Sequence, residues 1–209
     1  FVKIMPKDNI LITTNQEYAA MVKEQLPDLP DDNIVIEQVN RNTAPSVAWG
    51  MLKIANRDID ARVIVSPSDL FVLNEQAFDD NVNTALDLVG EHNVVITMGV
   101  KPTRPEPGYG YIQLGEPTPT KDVYHVSSFT EKPEREFPQV FVDSGEFYWN
   151  TGMFLSNITT FIKACEKLFV ELTSLIKEKL RPEEVTPPNL LNFLTQYYSS
   201  FPNLSIDYG

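Results

Sequence analysis

Five short segments of the sequence carry residue types suited to phosphate and hydroxyl chemistry. Ser66-Pro67-Ser68-Asp69 follows the apolar run Arg62-Val63-Ile64-Val65. An aspartate at a strand end can hold Mg²⁺ through a carboxylate oxygen, with phosphates and water filling the other positions. The same string also reads as a turn whose carboxylate accepts from backbone N–H groups. Glu37-Gln38-Val39-Asn40-Arg41-Asn42-Thr43-Ala44-Pro45 is a polar loop that opens a helix. It suits a base or a phosphate, because the first helical turn has unpaired N–H groups, or it serves as plain capping. In Lys101–Tyr111, Gly108 and Gly110 flank Tyr109 and allow close backbone approach, while Lys101 and Arg104 offer positive charge. The alternative there is a surface loop stiffened by proline. Phe129-Thr130-Glu131-Lys132-Pro133 sets a carboxylate beside an ammonium. Glu131 can accept from sugar hydroxyls while Lys132 meets a phosphate, or the two form an ordinary surface ion pair. Asn150, finally, stands among Phe147, Tyr148, Trp149 and Phe154, either as a ligand amide or as one satisfied amide in a core strand.

Other chemistries are excluded. The two histidines, His92 and His125, sit in a turn before a strand and on the solvent side of an alternating strand pattern. There is no His-Glu-x-x-His, Cys-x-x-Cys or Gly-x-Ser-x-Gly, and none of the 9 glycines forms a dinucleotide fingerprint or a Gly-x-x-x-x-Gly-Lys loop. A single cysteine, Cys165, rules out an internal disulfide and a cysteine-cluster zinc site. Acidic residues outnumber basic ones 29 to 17, a net charge of −12, which argues against nucleic acid or an anionic membrane as partner. No apolar stretch approaches the ~20 residues of a membrane-spanning helix, and no signal peptide opens the chain, so a cytoplasmic location is expected.

Hydrophobic residues make up 42 % of the 209 residues, enough for a packed core. Apolar runs predict strands at 9–13, 33–37, 62–65 and 93–99, with amphipathic helices over 16–26, 44–56 and 74–89 between them. That alternation is the βαβ signature of a mostly parallel sheet with helices on both faces. Beyond residue 99 the texture changes. Strands are expected at 111–115, 122–130 and 146–154, and helices at 134–144, 158–178 and 188–199. In a parallel sheet, ligands collect beyond the carboxyl ends of the strands, where four of the five segments lie; the segment around Asn150 falls within an expected strand.

Taken together, Arg41–Pro45, Pro67-Ser68-Asp69, Lys101–Glu106 with Gly108–Ile112, Phe129–Pro133, Tyr148–Phe154 and Ser205-Ile206-Asp207-Tyr208 resemble, in order and spacing, the mannose-1-phosphate guanylyltransferase (GDP-mannose pyrophosphorylase) family. The strings span nearly the whole chain, and Arg41-Asn42-Thr43-Ala44-Pro45 favours this family over glucose- or uridylyl-type relatives. The resemblance implies a Rossmann-like three-layer α/β/α fold with a mixed, mostly parallel central sheet, of the nucleotide-diphospho-sugar transferase type. It also implies Mg²⁺-dependent transfer of GMP from GTP to mannose 1-phosphate, giving GDP-mannose and pyrophosphate. Carried over, Asp69 is a metal ligand and, with Lys132, catalytic. Glu37, Asn42, Thr43, Ala44 and Pro45 lie by guanine and ribose. Tyr109, Gly110, Glu131 and Asn150 hold the mannose, and Lys132 its phosphate. The chain reads as one incomplete catalytic domain, with a nucleotide-side half over about 1–100 and a sugar-side half over about 101–209; a homodimer is left open.

Two departures stand out. Leu70 replaces the histidine that usually follows Pro-Ser-Asp in the family. The family's Gly-x-Gly-x-Arg loop and its later Trp-x-Asp-x-Gly segment do not occur in these 209 residues. The expectation is therefore an interior piece of the enzyme, inactive by itself. The alternatives are a nucleotidyltransferase for another sugar 1-phosphate and a non-catalytic regulatory homologue that binds nucleotide sugars.

Overall fold

A computed structural model describes residues 1, 3–168 and 170–208. Strands and helices alternate through the first half: β1 (Ile12–Asn15), α1 (Ala19–Gln25), β2 (Ile34–Glu37), α2 (Thr43–Ala55), β3 (Arg62–Val65), α3 (Glu75–Glu91) and β4 (Ile96–Val100). Then come β5 (Tyr111–Pro117), β6 (Tyr124–Thr130), α4 (Phe137–Ser144), β7 (Phe147–Asn157), α5 (Ile158–Leu168), α6 (Val170–Lys179) and α7 (Pro187–Tyr197).

Local chemistry sets most boundaries. The first strand starts later than expected, because Lys7–Asn9 close a 3₁₀ turn. Asn33 is buried there and donates to the carbonyls of Asp8 and Ile10, fixing the approach to both β1 and β2. Pro138 falls in the first turn of α4, where its missing N–H costs nothing, and that helix ends at Gly145 in the left-handed region (φ 71°). The helix expected over 158–178 is described as α5 and α6 on either side of residue 169, which lies outside the described residues.

Two helical layers flank the strands. Ile64 and Leu155 pack against Val82, Ala85 and Val89 of α3. Their neighbours Val63, Val65 and Phe154 turn the other way, onto Met51 and Ala55 of α2 and Ile158 and Phe161 of α5, as strand alternation requires. A third cluster joins Val35, Ala44, Ala48 and Trp49 to Phe193, Leu194 and Tyr198. The three-layer α/β/α arrangement is the expected one.

The sheet pairing differs from a mostly parallel expectation. Strands β1 and β2 pair in parallel, whereas β3-β7-β5-β6 and β4-β7 are all antiparallel pairs. Strands β3 and β4 do run the same way, as their helical crossover demands. Between them, however, lies β7, whose Leu155 faces Ile64 on one edge and Ile96 on the other. The periodicity of β7 reveals a strand; it carries no information about which strands will flank it.

This register creates a notch. On one edge of β7, β3 stops with Val65 opposite Phe154, and β5 begins with Tyr111 opposite Trp149. Asn150 to Met153 therefore have no strand beside them on that edge. The loop after β3 and the residues before β5 fill the space, while β6 ends with Thr130 beside Tyr111.

Candidate active site

The notch brings together four of the segments singled out from sequence. Gly110 enters from the β4–β5 loop, and its carbonyl accepts from the Asn150 N–H at 2.8 Å. A side chain at Gly110 would collide with Oε2 of Glu131 and press on Asn150 Cβ at 3.3 Å, so only glycine lets the Glu131 carboxylate lie over this backbone. Pro67 enters from the opposite side; a Cβ added to Gly152 would meet its ring at 3.1 Å. Gly152 itself has φ 71°, where glycine is at no steric disadvantage.

Asn150 is held in one orientation. Its Oδ1 accepts from Thr97 Oγ1 (3.2 Å) and from the Gly152 N–H (3.1 Å), and its Nδ2 donates to Asp207 Oδ1 (2.8 Å). One Nδ2 hydrogen is left to offer. The Glu131 side chain is only 12 % exposed, and the Lys132 ammonium lies 3.5 Å from its Oε1. Burial, and secondarily the Asp207 charge, push the Glu131 carboxyl above the usual carboxylate range, with Lys132 pulling the other way. Lys132 has φ 45°, a left-handed conformation that costs a side-chain-bearing residue energy, and its ammonium is exposed beside Glu131. Tyr109 remains exposed and stands edge-on to Trp149 (centroids 5.3 Å apart), while the Arg104 guanidinium lies 5.3 Å from the same ring.

The start of α2 is organised differently. Asn42 caps the helix by accepting from the Thr43 N–H at 2.8 Å, and its own N–H donates to Asn40 Oδ1 at 2.9 Å. The Ala44 N–H donates to the Leu204 carbonyl at 3.0 Å, and Pro45 has none. All four terminal positions are thus accounted for, so the free first-turn donors expected here do not exist. Ala44 and Pro45 are buried. Thr43 Oγ1 accepts from the Ile206 N–H (2.9 Å) and lies 3.2 Å from Ser205 Oγ. Glu37, at the end of β2, is 9 % exposed; burial and the Glu37 charge hold the Tyr198 hydroxyl well above its ordinary pKa.

Asp207 connects the two regions. One carboxylate oxygen takes the Asn150 amide and the other takes Ser205 Oγ at 2.8 Å, beside Thr43. In the sequence Asp207 stands within a family string and carries no assigned role. Nothing in local spacing signals its proximity to a residue 57 positions earlier.

Asp69 sits on the exposed loop after β3 and, among the described residues, forms no hydrogen bond or ion pair. Its neighbours Ser66, Pro67, Ser68 and Leu70 line a large cavity that also reaches Glu37, Asn42, Thr43 and Asp207. No cluster of three or more metal-binding side chains occurs among the described residues. A free, solvated carboxylate fits a hard divalent cation that keeps several waters and takes its remaining ligands from phosphates; it does not fit an all-protein metal cage.

The model of the family described as Nucleotidyl transferase matches residues 5–187, most of the chain. The chain belongs to this nucleotidyl transferase family. Among its relatives are a mannose-1-phosphate guanylyltransferase of Klebsiella pneumoniae (30 % identical, covering 95 % of this chain and 43 % of the relative) and one of Sinorhizobium fredii (34 %, 95 % and 39 %). A Xanthomonas campestris xanthan biosynthesis protein XanB is 36 % identical over 75 % of this chain and 33 % of its own. The chain therefore spans less than half the length of these relatives. A Thermus thermophilus crystal structure described as mannose-1-phosphate geranyltransferase superposes with a TM-score of 0.77 at 26 % identity, covering all of this chain and 57 % of that one. A Helicobacter pylori structure described as mannose-6-phosphate isomerase shares the fold, with a TM-score of 0.73 at 23 % identity over 96 % of this chain and 78 % of that one. No helix of the described residues is long and apolar enough to cross a membrane.

Proposed function

We propose that the protein to which this chain belongs transfers GMP from GTP to mannose 1-phosphate, releasing pyrophosphate and forming GDP-mannose, in the cytoplasm. The observation that carries the proposal is the notch at Asn150. A largely buried carboxylate, a fixed amide with one spare hydrogen and an exposed ammonium converge there, a donor and acceptor set suited to a sugar with a phosphate at one end. The relatives' description as mannose-1-phosphate guanylyltransferases supports the choice of mannose and guanine.

In this reading a phosphate oxygen of mannose 1-phosphate attacks the α-phosphorus of GTP. The new P–O bond forms as the bond to the β-phosphate oxygen breaks, and pyrophosphate leaves with the electron pair. Such a step needs alignment and charge neutralisation more than an acid or base, consistent with exposed histidines outside the notch. Glu131 accepts from mannose hydroxyls, Asn150 donates its spare N–H, and Tyr109 and Gly110 form the wall. Lys132 holds the sugar phosphate in line. Asp69 would hold Mg²⁺, which when bound offsets the charge of the triphosphate. Glu37 and Asn42 to Pro45 shape the guanosine side by their fixed backbone, since their donors are already spent. The nucleotide-side half is then about 1–100 and the sugar-side half about 101–209.

Pyrophosphate release by the full-length encoded protein, with GTP and either mannose or glucose 1-phosphate, tests the reading. Mannose 1-phosphate is expected to be the preferred acceptor. Preference for glucose 1-phosphate, or nucleotide-sugar binding without release, would replace it.

A further inference from the structure

The loop between β4 and β5 carries Tyr109 and Gly110 to the notch, and side chains rather than a backbone ladder give it its shape. Pro102, Pro105 and Pro107 have no N–H to donate, and among the described residues no backbone-to-backbone hydrogen bond involves residues 103–108. Glu106 lies between two of those prolines. Its N–H donates to the Tyr111 hydroxyl oxygen at 3.0 Å, and the same hydroxyl donates to the Glu106 carbonyl at 3.0 Å. One phenol therefore clasps both backbone groups of Glu106 and closes the loop from Glu106 to Tyr111. Tyr111 is fully buried, its ring centre 5.2 Å from that of Phe141, which stacks on Phe147 at 4.1 Å. The clasp is thus anchored in a packed aromatic cluster. The Glu106 carboxylate extends it. Oε1 accepts from the Gly108 N–H at 3.1 Å, and Oε2 lies 3.4 Å from the guanidinium of Arg104, which rests over Trp149. A Cβ at Gly108 would stand 3.3 Å from Oε1, so the carboxylate packs directly onto the turn it shapes.

We propose that Glu106 and Tyr111 are positioning residues for the sugar 1-phosphate: together they hold the turn at Gly108 so that Tyr109 and Gly110 stand as the wall of the sugar site. Tyr111 is sealed from solvent and both Glu106 oxygens are committed within the loop, so the two act through the turn. The turn delivers its geometry at two points. Tyr109 stands edge-on to Trp149, and the Gly110 carbonyl accepts from the Asn150 N–H, beneath the Glu131 carboxylate. A stretch of backbone without ladder bonds opens readily once its side-chain ties are cut. Displacing a substrate-bearing wall by about 1 Å can cost as much as ~100-fold in rate, even where the altered residue lies away from the chemistry. This role rests on the notch being the mannose 1-phosphate site.

Steady-state pyrophosphate release by the full-length encoded protein, read beside denaturant unfolding, tests this. Tyr111→Phe keeps the ring and removes the clasp, and Glu106→Ala removes the carboxylate and keeps the backbone. Each is expected to raise the KM for mannose 1-phosphate about 10-fold and to leave the KM for GTP within about twofold of wild type. Glu106→Gln retains an oxygen to accept from the Gly108 N–H and loses only the charge opposite an exposed arginine, so it is expected to restore a near-wild-type KM. A merely structural role predicts lost stability in Tyr111→Phe and Glu106→Ala with both KM values unchanged, and that result would overturn the proposal. So would an equal rise for both substrates, or a glutamine variant as impaired as the alanine one. Should Tyr111→Phe fail to fold, the two Glu106 variants decide alone. Wild-type protein that releases no pyrophosphate from GTP and mannose 1-phosphate would defeat the functional reading and this role with it; normal wild-type release with unresponsive variants would defeat this role alone.

Discussion

The start of α2 and the notch at Asn150 are both polar turns beside the same cavity, yet they spend their hydrogen bonds in opposite ways. At α2, Asn40, Asn42, Leu204 and a proline leave no terminal donor free, and Ala44 and Pro45 are buried. At the notch, a largely buried carboxylate carries a raised pKa, a lysine holds a left-handed backbone, and an oriented amide keeps one hydrogen unused. The first region is finished as structure. The second holds unspent capacity at an energetic cost, which is the physical mark of a site awaiting a ligand. Asp207 spans them, so the finished region fixes the geometry of the unfinished one.

Four changes to the full-length protein would sharpen or break this contrast. The largest effect is expected at Asp69, whose free, exposed carboxylate has no structural duty. Asp69→Asn should lower turnover at least ~100-fold while leaving thermal stability unchanged, since it removes charge from a proposed metal ligand. Near-normal turnover at saturating Mg²⁺ would take Asp69 out of the mechanism. Next, Lys132→Ala should raise the KM for mannose 1-phosphate by roughly 10- to 100-fold, the worth of one charged hydrogen bond, with a much smaller change for GTP. Equal changes for both substrates would dissolve the distinction between the two regions.

The α2 side predicts the reverse pattern. Thr43→Val removes the acceptor of the Ile206 N–H and should cost about 1 kcal/mol of stability, read by denaturant unfolding, with turnover close to wild type. A large rate loss at unchanged stability would mean that Thr43 meets substrate directly. The smallest effect concerns pH. Because the folded-state pKa of Glu131 is raised, the protonated form favours the folded state, and that contribution is lost as pH rises through the raised value. Glu131→Gln should therefore gain stability relative to wild type at neutral pH, and the difference should vanish as pH falls to the ordinary carboxylate range. A difference that grows toward low pH would reverse the assigned environment.

Much of this is legible locally. Val63, Ile64 and Val65 announce a strand buried on both faces, and Gly145 announces the end of α4. Gly110 signals close backbone approach, and the Glu131 carboxylate is what approaches it. What stays hidden depends on distant parts of the chain. The antiparallel insertion of β7 between β3 and β4 is a choice of partner, which hydrophobic period does not encode. The Ala44 N–H looks free in the sequence because its acceptor, Leu204, lies 160 positions away by numbering and outside any local window. The part played by Asp207 is hidden for the same reason.

The most direct test of the unspent capacity at the notch is a steady-state comparison of wild type and Glu131→Gln, with mannose 1-phosphate and GTP varied in turn at neutral pH. A KM for mannose 1-phosphate raised at least ~10-fold beside a nearly unchanged KM for GTP is the predicted result, the loss of a charge-assisted acceptor on the sugar alone. Unchanged constants for both substrates would contradict the account and leave Glu131 a structural carboxylate.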